Sequence, residues 1–261
     1  MKDKEFTGEL REVPPSRLFN KLSNNSIDNF FLVLAVVYND IKGIIFFQNL
    51  LVDTYRTPAK RELSLHTGEY SGLHIQLIRL IIGIVHEFFK LLEKNKPIFS
   101  TPEFKKTFNS TNSSTENLWN EILELALDKV KGDGNFINNL AEIRHNISFH
   151  YNQDGKQLRK SFLSLFFERE KMIFNELAYY SSGDNMTETR FFYADAVTEE
   201  YMRLRSKKKE YFDSMSSYSS ELMELVVKMN TVISDLLKSY LKNLPKGVDE
   251  QKRRVEIKKT S

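Results

Sequence analysis

Apolar residues recur along this chain at helical spacing, and polar clusters cut them into a series of long stretches. The first, over residues 28–52, is apolar round most of its wheel. Phe30, Leu34, Val37, Ile41, Ile44, Ile45 and Leu51 lie on one side, with Phe46 and Leu50 on the other. Asp28 is placed to cap it. A helix with so little polar surface belongs at the centre of a fold or under a second subunit. The next stretch, over 71–94, confines Gln76, Arg79, His86, Glu87 and Lys90 to an arc of about 100°. Leu, Ile, Val and Phe cover most of the rest, so this helix is strongly amphipathic.

Pro97 and Pro102 are expected to end that helix, and the low-complexity run from Asn109 to Thr115 reads as an exposed loop. Thr115 would cap a third helix over 116–131, closed by the glycines of Gly132 and Gly134. A fourth helix starts near Asn135. After a turn at Asp154 and Gly155, a fifth covers 157–180. Ser181 to Asn185 breaks the chain, and Arg190 to Tyr193 reads as a strand fragment or a docked loop. The last run, 198–244, is helical with a break expected at 214–220. From Leu222 its apolar positions Val226, Met229, Ile233, Leu236 and Tyr240 step by four and three in alternation, the pattern of a seam packed on another helix.

These elements predict an all-α bundle. Residues 1–26 form a polar N-terminal segment and 27–180 the helical core. Residues 181–244 add an irregular aromatic segment and a long C-terminal helix, and 245–261 a basic tail expected to be disordered. Ten Gly and six Pro in 261 residues leave long helices uninterrupted, and 41% hydrophobic content excludes a chain disordered by composition. The net charge of +3 is too small to identify a polyanion partner, so the distribution of charge matters more.

The absence of cysteine excludes disulfides, thiol nucleophiles and Cys-ligated metals, and a reducing, cytoplasmic setting is the expectation. The mixed charges of the first residues lack the apolar run of a signal peptide. Runs 30–52 and 73–92 are long enough to suggest a membrane. Asn39, Asp40, Lys42 and Gln48 interrupt the first, and Arg79, His86, Glu87 and Lys90 the second. Each full charge costs about 2.5–3.5 kcal/mol at a bilayer centre, so buried helices rather than membrane spans are expected.

The fourth helix carries the candidate chemistry. Leu140, Ile143, Ile147 and Tyr151 share a core stripe, while Arg144 and His150 project about 120° apart on a straight helix. Arg144, the polar His145 beside it and His150 six positions on resemble the R-x(4–6)-H signature of the HEPN superfamily, whose small helical domains often act as metal-independent ribonucleases. The resemblance implies a HEPN-like core over 27–180 and an active site in the groove between paired motif helices of a homodimer. It also implies attack of an RNA 2′-hydroxyl on the adjacent phosphorus, leaving 2′,3′-cyclic phosphate ends. No metal or cofactor is required.

The residue types suit that chemistry. Histidine titrates near neutral pH and fits proton transfer; arginine keeps its charge and forks onto two phosphate oxygens. By analogy Arg144 takes the phosphate, His150 does acid–base work, and His145 or Asn146 positions the substrate. His145 stands where the family commonly has asparagine or aspartate. A bacterial defence or toxin-type ribonuclease, with an antitoxin or a nucleotidyltransferase-type protein as partner, is what the resemblance implies. The alternative is a catalytically silent helical module that dimerises and binds a nucleotide, RNA or a protein.

Two basic features add RNA contacts to this reading. Arg79, His86 and Lys90 form a stripe on the second helix, and Arg203, Arg205, Lys207, Lys208 and Lys209 form a denser cluster near Tyr201 and Tyr211. Each also reads as a solvated helix face. His66 and His74 lack carboxylates at ligand spacing, so no metal site is expected.

Overall fold

The computed structural model describes residues 13, 15–18, 25–55, 64–127, 136–148, 155–168, 177–205 and 211–244. Over these the fold is an all-α bundle. Its helices are α1 (Pro15–Leu18), α2 (Ser26–Tyr55), α3 (Leu65–Lys94), α4 (Pro102–Phe108) and α5 (Ser113–Leu127), followed by α6 (Phe136–Ile143), α7 (Lys156–Leu163), α8 (Phe192–Arg205) and α9 (Tyr211–Asn243). Wider π-helical turns, Arg144–Ser148 and Ser164–Glu168, continue α6 and α7. Among the described residues no strand forms beyond a single antiparallel bridge between Ser181 and Arg190.

Helix α3 is the central element. It packs on α2, α5, α6, α8 and α9, and it buries Ile75, Ile78, Ile81, Ile82, Val85, Phe88, Phe89 and Leu92. The polar arc read from the sequence is the side left for the motif turn. The α9 seam packs within the same chain, on α2, α4 and α5. Leu222, Val226, Met229, Ile233 and Leu236 are all fully enclosed, and Tyr240 stacks on Phe31 with ring centroids 4.1 Å apart. The Tyr240 hydroxyl donates to Asp28 at 2.8 Å, and burial followed by that carboxylate raises its pKa.

Several boundaries differ from expectation, each for a local reason. Asn25, not Asp28, caps α2: its side chain accepts from the Ile27 N–H at 3.0 Å, leaving Asp28 free for Tyr240. Helix α3 begins six residues before position 71, because Ser64 caps it through the Thr67 N–H at 3.1 Å. Gly68 and Gly72 weaken the helical signal there, and their missing Cβ atoms admit the Phe192 ring and the Arg190 guanidinium against the α3 backbone. Arg190 is then held by Glu69 at 2.9 Å and Asp195 at 2.8 Å. Burial works against its positive charge, but these two carboxylates outweigh it and its pKa is raised.

The loop expected at 109–115 is shorter, because α5 opens at Ser113, and the unassigned stretch before it forms α4. Thr101 caps it through the Phe104 N–H at 3.3 Å, and Pro102 takes the first helical position, where its missing N–H costs nothing. Asn112 rather than Thr115 caps α5, accepting from the Thr115 N–H at 2.8 Å. The buried Thr115 hydroxyl instead donates to Asp235 of α9 at 2.6 Å. Helix α9 is continuous through 214–220, whereas 177–180 is not helical. The turn at Gly132 and Gly134 and the tail 245–261 lie outside the described residues.

Helix α2 is an edge element rather than a central one. Ile27, Phe30, Phe31, Leu34, Ile41, Ile44 and Leu51 pack inward, while Leu32, Val33, Val36, Phe46 and Phe47 are exposed by 43–60%. Among the described residues it is also the one helix long and apolar enough to cross a membrane, with 28% of its most apolar window buried.

Candidate functional site: the contact between α3 and the motif turn

The motif begins where α6 changes pitch. Ile143 ends the α-helix fully buried, and Arg144–Ser148 continues as a π-helical turn with Ile147 and Ser148 buried. Such single π turns, with i→i+5 hydrogen bonding, concentrate at functional positions. Arg144 leaves this turn toward α3 and donates to Glu87 at 2.7 Å, with 23% of its side chain exposed against 54% for Glu87. At the other end of the turn Arg79 donates to the Ser148 carbonyl at 3.5 Å. The turn therefore runs antiparallel to α3, Arg144 beside Glu87 and Ser148 beside Arg79.

His86 lies between these contacts. Its Nδ1 lies 3.5 Å from the Glu87 carboxylate, an ion contact when the ring is protonated, without forming a well-aligned hydrogen bond. Burial holds the His86 pKa below the usual histidine value. Lys90 pushes the same way, Glu87 opposes, and Arg144 adds a smaller downward push. Arg79 Nε and Ser148 Oγ are likewise buried and without hydrogen-bond partners. This contact between α3 and the turn brings Arg79, His86, Glu87 and Arg144 together, with Lys90 exposed one turn beyond His86 on α3.

Asn146 sits on the other side of the turn. Its amide donates to the Glu142 carbonyl at 2.9 Å and to the Tyr201 hydroxyl at 2.8 Å, tying the motif to α8. Burial raises the Tyr201 pKa, the Arg205 guanidinium lies 5.2 Å from its ring centroid, and Arg205 also pairs with Glu142. Arg203 makes a two-pronged pair with the fully buried Glu200, at 2.6 and 2.7 Å. Arg205 thus ties α8 to α6, while Arg203 neutralises Glu200 within α8. His145 is exposed on the turn. His150, Lys207, Lys208 and Lys209 lie outside the described residues.

The structure thus unites two features that are separate in the sequence, the motif arginine and the α3 stripe of Arg79, His86 and Lys90. Sequence reading missed Glu87 as the partner of Arg144 and Ser148 as the partner of Arg79. The seven-residue spacing of Arg79 and His86 marks one face of α3, but nothing local says that this face meets the motif. Among the described residues no three His, Asp or Glu side chains are grouped to hold a metal ion. No known protein family, curated protein or solved structure matches this chain.

Proposed function

We propose that this chain is a HEPN-type, metal-independent endoribonuclease acting as a homodimer. The observation that carries the reading is the motif arginine, which leaves a π-helical turn and comes against the face of α3 that carries Arg79, His86 and Lys90. A face with excess positive charge suits a phosphodiester, and the low dielectric of a half-buried site strengthens each contact with it. In this reading Arg144 stabilises charge on the phosphoryl oxygens. His150 transfers the proton, Asn146 fixes the turn through Tyr201, and His145 meets the substrate from the exposed side. The uncovered apolar face of α2 supports pairing with a second copy, because a patch of this kind marks an interaction surface. A defence or toxin role in the cytoplasm, with an antitoxin or nucleotidyltransferase-type partner, completes the proposal.

The test is cleavage of end-labelled single-stranded RNA in excess EDTA by the wild type, Arg144→Ala and His150→Ala. Cyclic-phosphate ends made by the wild type alone are expected. Equal cleavage by all three proteins would refute the assignment.

One observation favours the second reading, a silent binding module. Glu87 already holds Arg144, and Asn146 is committed to Tyr201, so two motif side chains serve the fold. RNA left intact by the wild type, together with a dimer in sedimentation, is the outcome that selects this reading.

A further inference from the structure

We propose that the outward face of α2 is a pairing surface for a second copy of this chain, the two α2 helices lying antiparallel so that Leu32 meets the partner's Leu50, Val36 the partner's Phe46 and Asn39 the partner's Gly43. The reading above needs a second copy; this goes beyond it by fixing the surface and the register, and by separating both from the motif turn.

Three observations converge. First, Leu32, Val36, Asn39, Gly43, Phe46 and Leu50 step by four and three in alternation, the spacing of a helix–helix seam. They share an arc of about 80° on the wheel, opposite the buried stripe of Ile27, Phe30, Leu34 and Ile41. Unlike the α9 seam, this one stays uncovered within the chain: Leu32, Val36, Asn39 and Phe46 are exposed, and Gly43 and Leu50 half-buried.

Second, the seam is self-complementary. Its six positions are symmetric about residue 41, so a reversed copy sets large residues against large ones and the Asn39 amide over Gly43, where a Cβ would meet nothing within 4 Å. A two-fold contact needs this property, because every pair in it is made twice. Val33 and Phe47, both exposed on one flank of the seam, meet each other by the same symmetry.

Third, the area suits a dimer of modest strength. Leu32, Val33, Val36, Phe46 and Phe47 together leave on the order of 400 Å² of apolar surface per copy. A standard interface takes about 800 Å² per partner, about 65% of it apolar in homodimers, so the seam supplies most of the apolar part.

The same helix is long and apolar enough to cross a bilayer, yet its charges favour a protein partner. Asp40 and Lys42 are exposed on either side of the middle of this face. Lipid would have to desolvate both, whereas an antiparallel partner leaves them at a wet rim. There each lies near its own symmetry mate, and the repulsion between such exposed charges is small.

Pairing here keeps the two motif turns apart. His74 and Ile81 of α3 share a small cavity with Gln48 of α2, whereas Arg79 reaches Ser148 from about 140–160° further round α3. The motif turn is thus on the far side of α3 from α2, and each copy in the dimer keeps its own.

The test is sedimentation velocity on the full chain over about 1–100 µM, the range suited to so small an interface. A monomer–dimer equilibrium is expected. Val36→Asp should raise its dissociation constant by about ten-fold or more, because it sets an unpaired carboxylate inside the seam. Val227→Asp, on an exposed apolar position of α9, should leave it unchanged. The chain has no cysteine, so Val36→Cys and Phe46→Cys each carry one thiol. A short bis-maleimide should join a mixture of the two variants but neither alone, since like residues lie about 15 Å apart along antiparallel helices.

A wild type that stays monomeric over this range overturns the pairing, as does a dimer that Val36→Asp leaves intact. A monomer that co-sediments with phosphatidylcholine vesicles assigns the face to lipid and overturns it too. Val36→Cys joined to itself as readily as to Phe46→Cys overturns the antiparallel register. Should Val36→Asp fail to fold by circular dichroism, the cross-linking pattern decides alone. A dimer through α2 that leaves RNA intact keeps the pairing and sinks the nuclease reading; cleavage by a dimer indifferent to Val36→Asp does the reverse.

Discussion

Removing the Arg203 side chain separates a structural role for the α8 cations from a role in RNA contact. Glu200 is fully buried, and its oxygens accept two hydrogen bonds from Arg203 and a third, at 2.9 Å, from Ser164 on the π turn after α7. Arg203 is itself only 13% exposed, so the pair is largely sheltered from solvent screening. In Arg203→Ala the Glu200 carboxylate stays buried and loses both hydrogen bonds from that guanidinium. Breaking a buried pair on one side costs about 3–5 kcal/mol. For a chain of this size that corresponds to a fall of roughly 6–20 °C in Tm.

The assay is urea unfolding at neutral pH followed by circular dichroism, with Glu200→Gln and the double variant beside Arg203→Ala. Neutralising that buried carboxylate should recover about 1–3 kcal/mol, so the two substitutions are not additive. A cost below about 1 kcal/mol for Arg203→Ala, the range of exposed pairs, would refute the reasoning. Loss of RNA affinity at unchanged stability would instead return Arg203 to the surface patch expected from the cluster around it.

Two glycines should respond with opposite signs to the same substitution. At Gly43 a Cβ meets nothing within 4 Å, so Gly43→Ala is expected to stabilise α2 by about 0.5–1 kcal/mol. At Gly72 a Cβ falls inside the anchored Arg190 guanidinium, and Gly72→Ala should cost about 1–3 kcal/mol despite the better helix former. Thermal melts decide both, and a gain at Gly72 would contradict the packing described. Stability should also fall below about pH 6.5. Burial lowers the folded-state pKa of His74, and burial with Lys90 lowers that of His86. The unfolded chain therefore binds protons first as pH drops, and stability complete above the unfolded value is lost toward the folded ones. Urea midpoints over about pH 5–7.5 should slope downward into acid, less so in His74→Gln, which loses the histidine packed in a small cavity with Gln48, Ile78 and Leu222. Identical slopes in that variant and the wild type would remove His74 from the account.

Much of the architecture is legible in local patterns. The apolar stripe of α3 and the four–three seam of α9 identify their buried faces because helical periodicity places those side chains on one side wherever the helix packs. The weak points are positions where a long-range partner overrides local preference. The sequence reading starts the second helix at 71, yet α3 already runs from Leu65, and Gly68 and Gly72 are where Phe192 and Arg190 lie against its backbone. Thr115 reads as a cap and is instead a buried donor to Asp235, 120 residues away. Helix α2 reads as central or as covered by a second subunit, because composition reports how apolar it is and not what covers it; within this chain one face stays uncovered.

The candidate site divides in the same way. Arg144 and the stripe of Arg79, His86 and Lys90 are visible as two patterns, because residue type and spacing on one helix are local properties. That the stripe faces the motif turn, that Glu87 holds Arg144, and that Asn146 turns away to Tyr201 depend on the way α6 lies across α3 and α8. Packing of whole helices sets that arrangement, through apolar contacts contributed by distant parts of the chain, and no spacing within a single helix encodes it.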